Sequence, residues 1–278
     1  MTESPFVEKI RTNGITLSVE RRGELDAPVA FLHPGAGADH LALSPQAKHL
    51  TSLGFTTLVP DARGLGQSDR PEDGYDVRTL AADAMGVLRS LGVRRAVLLG
   101  QSLGSAVVQE MALMRPSLVR GLILMATWAR SDAFLKLQFT LTQGIVASQP
   151  PEVYGPALLY LIASRPYVSR GEVELTGLLR GMFLGRRSPS RDVLLKHLSA
   201  GRDHDTLDRL RDLDVPTLVL AGEHDLMIAP SYGLETASAL PRGKYVLLRG
   251  ESASHLFHWE MQREVKGAIE AFLPSLDS

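Results

Sequence analysis

Gly100-Gln101-Ser102-Leu103-Gly104 joins two stretches of opposite periodicity. Before it, Arg95-Ala96-Val97-Leu98-Leu99 is a short apolar run of the kind that forms a buried strand. After it, between Ser105 and Arg115, Val107, Val108, Met111, Ala112 and Met114 recur at helical spacing. A strand, a G-x-S-x-G turn and a helix make a nucleophile elbow. Such a turn lifts the serine Oγ above the carboxyl edge of a sheet, beside a helix N-terminus. Small residues at 100 and 104 are needed because the strained turn brings strand and helix close together.

The same rhythm extends outward on both sides. Phe6–Ile10 and Ile15–Val19 alternate in polarity around Asn13-Gly14, a tight-hairpin signal. Pro28–Leu32 is a buried strand leading into His33-Pro34-Gly35-Ala36-Gly37. A helix is expected near Leu43–Leu53, a strand at Phe55–Val59 and an amphipathic helix over Val77–Leu91. Another apolar strand follows at Val119–Met125, and two more at Val215–Leu220 and Lys244–Leu248 precede a last helix near Met261–Phe272. Apolar strands alternating with helices imply a mainly parallel sheet covered on both faces.

The alternation lapses from about Trp128 to Asp208. Helical patterns there are punctuated by Pro150-Pro151, Pro156, Pro166, Gly171, Gly185 and Pro189, with no buried strand. The expected organisation is one domain over 1–278, with a core of 1–127 and 209–278 and a helical cap inserted at 128–208. Strands on both sides of the insertion are needed to complete one sheet.

The chain has 278 residues, enough for one such domain with a full core. It carries 30 basic and 31 acidic residues without long runs of either sign, which argues against nucleic acid or an anionic membrane as partner. With no cysteine, disulfides, thiolate metal sites and a cysteine nucleophile are excluded. Met1–Pro5 lacks a secretory pattern and no apolar run is long enough to span a bilayer, so a cytoplasmic protein is expected.

Serine needs a base within hydrogen-bond reach and a third group to orient that base. In this architecture the partners follow in the order serine, acid, histidine, each after a later strand. Asp225 follows Val215–Leu220 in Ala221-Gly222-Glu223-His224-Asp225, and His255 follows Lys244–Leu248 in Gly250-Glu251-Ser252-Ala253-Ser254-His255. The roles expected are Ser102 as nucleophile, His255 as general base and then acid, and Asp225 as the group that fixes the imidazole tautomer. Glu223 is the competing acid and His258 the competing base, with His258 more at home packing at a helix start. His197 and His204 are expected at the cap surface, and His224 in a solvated loop. The oxyanion donors expected are the backbone N–H of Leu103 and, because Pro34 has none, that of Gly35 rather than Ala36. Phe134, Leu137, Phe139, Tyr160, Met182 and Phe183 are candidates for a pocket roof, or for packing among cap helices. No metal ligand set or cofactor is expected.

Taken together these segments resemble the α/β-hydrolase superfamily over nearly the whole chain. Asp61-Ala62-Arg63-Gly64-Leu65-Gly66-Gln67-Ser68 resembles its D-x-R-G-x-G-x-S turn, and His255 with Glu260 its H-x-x-x-x-E ending. His204–Leu210 followed by Val215-Pro216-Thr217-Leu218 is similar to the cap exit of 3-oxoadipate enol-lactonases and small carboxylesterases. Two residues depart from the pattern: His-Pro replaces the usual His-Gly at 33–34, and Ser254 replaces the glycine before the histidine. The resemblance implies an α/β-hydrolase fold, a mostly parallel sheet flanked by helices with an inserted helical cap. It also implies a cofactor-independent serine hydrolase acting on an ester, lactone or thioester of a small, largely apolar molecule. C–C bond or other non-hydrolytic chemistry, and a ligand receptor with little turnover, stay open on this scaffold.

Overall fold

Along β5 (Ala96–Gln101) and β6 (Val119–Met125), successive side chains leave the sheet on opposite faces. Leu98, Leu122 and Leu124 join a core with Leu80, Leu88, Val107 and Met111, while Val97, Leu99, Ile123 and Met125 join another with Leu43, Leu50, Val265 and Ile269. Both faces are therefore covered by helices, which explains why these strands read as continuous apolar runs.

A computed structural model describes residues 5–171, 176–177 and 179–276. Residues 1–4, the start of the stretch lacking a secretory pattern, lie outside the described residues. Asn13 and Gly14, with φ of 44° and 81°, turn β1 (Phe6–Thr12) back onto β2 (Ile15–Arg22). The sheet has eight strands in the order β1-β2-β4-β3-β5-β6-β7-β8, including β3 (Val29–His33), β4 (Thr56–Pro60), β7 (Thr217–Gly222) and β8 (Gly243–Leu248). β1, β2 and β4 pair antiparallel, and every pairing from β4 to β8 is parallel. Strand order reverses between β3 and β5, and ligands of open α/β sheets gather beyond the carboxyl ends at such a point.

α1 (Ser44–Ser52) and the helix Gln262–Phe272 lie on one face; α2 (Val77–Ser90), α3 (Leu103–Met114) and Pro230–Ala239 lie on the other. The helix at 230–239 had no periodic signal strong enough to single it out. β7 begins at Thr217 rather than Val215, because Pro216 has no N–H to give the ladder and only its carbonyl accepts, from Leu122 N at 2.9 Å. The last helix is split at Met261, so Phe257–Glu260 forms a separate turn. The Asp61 turn is internally braced. Asp61 accepts from His40 Nδ1 (2.7 Å), His40 N and Gln67 N, and Arg63 grips Asp83 through Nε and Nη2 at 2.7 and 2.8 Å.

Between β6 and β7 the chain forms α4 (Ala133–Ser148), α5 (Pro151–Ile162), α6 (Arg165–Val168), a short π-helical turn at Arg180–Leu184, and the helix Arg191–Arg202. Its outgoing and returning strands run side by side: Ser131 N donates to His204 O (3.0 Å) and Thr206 N to Ala129 O (2.7 Å). Among the described residues, no helix is long and apolar enough to cross a membrane.

Candidate active site

Ser102 adopts φ 53° and ψ −124°, a conformation that costs an ordinary residue about 1–3 kcal/mol. The flanking glycines allow it. A Cβ on Gly100 would lie 2.3 Å from Gly104 O, and one on Gly104 would lie 2.0 Å from His33 O. Ser102 is partly exposed, directly after β5, and its N–H donates to Met125 O at 2.9 Å. Leu103 opens α3, where backbone N–H groups have no intrahelical acceptor.

The loop after β3 presses against this turn. A Cβ on Gly35 would meet Gln101 Oε1 at 2.5 Å and Ser102 Cβ at 3.2 Å. Gly35 thus lies beside the serine, where its backbone can approach a bound group.

Asp225 and His255 meet beyond β7 and β8. Asp225 Oδ2 is 2.8 Å from His255 Nδ1, and Oδ1 accepts from Met227 N and Ile228 N at 2.9 and 2.8 Å. Both side chains are buried. Glu223 turns elsewhere, accepting from Arg249 Nη1 (2.8 Å) and Gly250 N (3.2 Å). The histidine loop folds back over β7, since His224 N donates to Ala253 O (2.8 Å) and a Cβ on Gly222 would lie 2.4 Å from that oxygen. Beyond His255, the His258 carbonyl accepts from Gln46 Nε2 and Trp259 Nε1 donates to Ala42 O, both at 2.7 Å, in the segment after β3. His255 and Asp225 thus share the carboxyl edge that holds Ser102.

His258 is buried, and burial followed by the neighbouring His255 pushes its pKa down to about 3. So weak a base takes up little proton near neutral pH. His197 and His204 were expected at the surface, but both are buried. His197 Nδ1 accepts from Gly37 N and its Nε2 lies at Arg63 O, each at 3.3 Å, so it links the helical layer to the Gly35 loop. Helical spacing marks which face a histidine occupies, not whether a neighbouring element covers it. His224 is exposed as expected.

The six apolar candidates divide. Phe139 packs on Trp128 with ring centroids 5.6 Å apart, and Phe183 on Tyr154 at 6.4 Å, so both hold helices together. Phe134, Leu137 and Tyr160 are exposed, and Met182 is partly buried against the same cluster. The layer they belong to is bonded to loops at the carboxyl edge. Arg187 pairs with Asp39 beyond β3, Lys196 donates to Glu72 O beyond β4, and Gln138 donates to the Leu226 and Met227 carbonyls beyond β7.

Sequence periodicity gave no sign of Ser105, whose Oγ donates to Ser102 O at 2.6 Å and lies 2.8 Å from Thr127 Oγ1. Gln109 continues this buried chain to Thr127, Trp128 O and Thr206. A cleft of about 550 Å³ lined by Tyr75, Glu110, Lys196, His204 and Arg209 lies apart from Ser102, Asp225 and His255. Asp39, His40 and Asp61 gather three ligand-type atoms within 4.8 Å, yet they are engaged with one another and with Arg187.

A family profile described as the alpha/beta hydrolase fold matches residues 28–261. The chain belongs to the α/β-hydrolase family. It is 30% identical over 268 residues to the AB hydrolase superfamily protein YisY of Bacillus subtilis, covering 93% of this chain and 95% of that one. Its structure is similar to that of a thermophilic esterase from Thermogutta terrifontis, with a TM-score of 0.83, 26% identity and coverage of 98% of this chain and 100% of the other. The enol-lactonase of Burkholderia xenovorans LB400 shares the fold with a TM-score of 0.85 at 24% identity, covering 96% of this chain and 100% of the lactonase.

Proposed function

We propose that this α/β hydrolase is a serine hydrolase that cleaves the carboxylic ester, lactone or thioester of a small, largely apolar substrate through an acyl-enzyme on Ser102. The observation that carries the reading is the buried 2.8 Å contact of Asp225 Oδ2 with His255 Nδ1, on the sheet edge that holds a strained Ser102. Asp225 accepts a hydrogen bond from Nδ1–H, which leaves Nε2 free to take a proton. Nε2 removes the Ser102 proton as Oγ attacks the carbonyl carbon. The oxyanion receives hydrogen bonds from Leu103 N–H and Gly35 N–H, and His255 returns the proton to the departing alcohol or thiol. Water then repeats the sequence on the acyl-enzyme and regenerates the serine. No step requires a metal or cofactor.

In this reading residues 128–208 act as a cap on one hydrolase domain formed by 1–127 and 209–278. Their bonds to loops beyond β3, β4 and β7 support a placement over the serine that excludes bulk water. Phe134, Leu137, Tyr160 and Met182 are the cap side chains left to meet a substrate, whereas Phe139 and Phe183 support them from within.

The test is a fluorophosphonate probe together with p-nitrophenyl esters of graded acyl length. Labelling at Ser102 with ester turnover is expected, indifferent to chelator. Labelling without turnover of any ester would move the reading to C–C bond or other chemistry, and absence of labelling would overturn it.

A further inference from the structure

The hydroxyl of Ser254, immediately before His255, is fully engaged. Its Oγ donates to Glu260 Oε1 at 2.7 Å and accepts from Leu256 N at 3.0 Å. The same carboxylate reaches into the helical layer: Ser164 N donates to Oε1 at 3.0 Å and Ser164 Oγ donates to Oε2. Leu256 N also donates to Ile162 O at 3.0 Å. Both neighbours of His255 are thereby tied to one segment, the end of α5 and the start of α6. Ser164 and Ser254 are buried, so these charge-assisted bonds are poorly screened by water.

We propose that Ser254, Glu260 and Ser164 form a positioning clasp through which the helical layer sets the placement of His255, an inference that rests on His255 being the catalytic base. The three residues act through the imidazole and need not touch the substrate. Ser254 Oγ orients the backbone just before His255, and Leu256 N orients it just after. Ser164 also accepts from Tyr167 N at 3.1 Å and so caps α6, which ties the clasp to the start of that helix. Any displacement of the segment joining α5 to α6 would therefore be passed to the base through two hydrogen-bonded arms. With a glycine at 254, only the Ile162–Leu256 arm would remain next to the histidine.

The experiment compares Ser254→Ala, Ser164→Ala, their double variant, Glu260→Gln and Glu260→Ala. Ester turnover, the rate of fluorophosphonate inactivation and Tm are measured for each. Each serine variant is expected to lose about ten-fold in kcat with KM within about two-fold, since small misplacement of a catalytic group is costly. Inactivation should slow in parallel, the double variant should be little worse than either single, and Glu260→Gln should keep more kcat than Glu260→Ala. If Ser254→Ala fails to fold, Ser164→Ala, far from His255 in sequence, decides the matter. Folded serine variants with wild-type kcat and inactivation rates would overturn the clasp, as would a lower Tm with kcat unchanged. Wild-type protein that the probe does not label would overturn the serine-hydrolase reading and the clasp with it. Normal labelling in wild type and variants alike would overturn the clasp alone.

Discussion

A Cβ at Gly35 would stand 3.2 Å from the Cβ of Ser102, so the loop after β3 and the elbow after β5 meet at van der Waals limits. A side chain there must displace either Gln101 Oε1, which it would approach to 2.5 Å, or the serine itself. Gly35→Ala is therefore expected to lower kcat about 100-fold, the scale of losing one oxyanion donor. KM should change much less. Wild-type kcat for this variant in a p-nitrophenyl ester assay would remove Gly35 from the site.

Ser102 stores strain that serves no packing purpose. Ser102→Gly should raise Tm by several degrees, because glycine accepts φ 53° at little cost, while abolishing labelling and turnover. Ser102→Ala should likewise lose at least about 10³-fold in kcat. A glycine variant less stable than wild type would contradict the strain argument, and residual wild-type turnover would contradict the nucleophile.

Asp225→Asn should cut kcat by about 10³–10⁴-fold while ligand binding stays measurable, since an amide favours the wrong imidazole tautomer. Glu223→Gln, which alters a contact with the exposed Arg249, should cost less than about three-fold in kcat. The reverse ranking would reassign the acid.

Burial holds His33, His197 and His204 down to about 4, and His258 to about 3, against an ordinary 6.5. As pH falls below 6.5 the unfolded chain takes up protons that the folded protein refuses, so stability is full above that pH and falls toward 4. Each such histidine contributes a slope approaching about 1.4 kcal/mol per pH unit. His40 opposes this: burial lowers its pKa, but the Asp61 hydrogen bond and charge outweigh burial and raise it. Its contribution is present below 6.5 and lost above its raised pKa. Burial also lowers the pKa of His49. Five against one, Tm should drop by about 10 °C between pH 7 and pH 5. A flat calorimetric profile over that range would show that these side chains are hydrated in solution.

In the helical layer, Phe139→Ala should cost about 3–5 kcal/mol, because its ring sits against Trp128 and Gly201 in a closed core. Phe134→Ala and Leu137→Ala should change stability by less than about 0.5 kcal/mol, being exposed. At least one alanine at Phe134, Leu137, Tyr160 or Met182 should shift the kcat/KM ratio between short and long acyl esters about ten-fold. A flat ratio across all four would leave the layer without a role in substrate choice.

The sequence by itself determined most of the elements and the strand–turn–helix around Ser102. Apolar runs at Ala96–Leu99 and Leu122–Met125, helical spacing from Val107 to Met111, and glycines at 100 and 104 are local properties, written into consecutive residues by backbone geometry. The same local logic put the candidate acid in one short loop and the candidate histidine in another. It favoured Asp225 and kept Glu223, two residues earlier, as the competitor; the contact itself depends on which one faces a histidine 30 positions away. Tertiary structure turned Glu223 to Arg249 and Asp225 to His255. It also decided that His197 and His204 are buried, and that Glu260 joins Ser254 to Ser164, which lies 96 positions before it. Periodicity records which side of an element is apolar; the partner of a polar atom is set by whichever distant segment the fold lays against it.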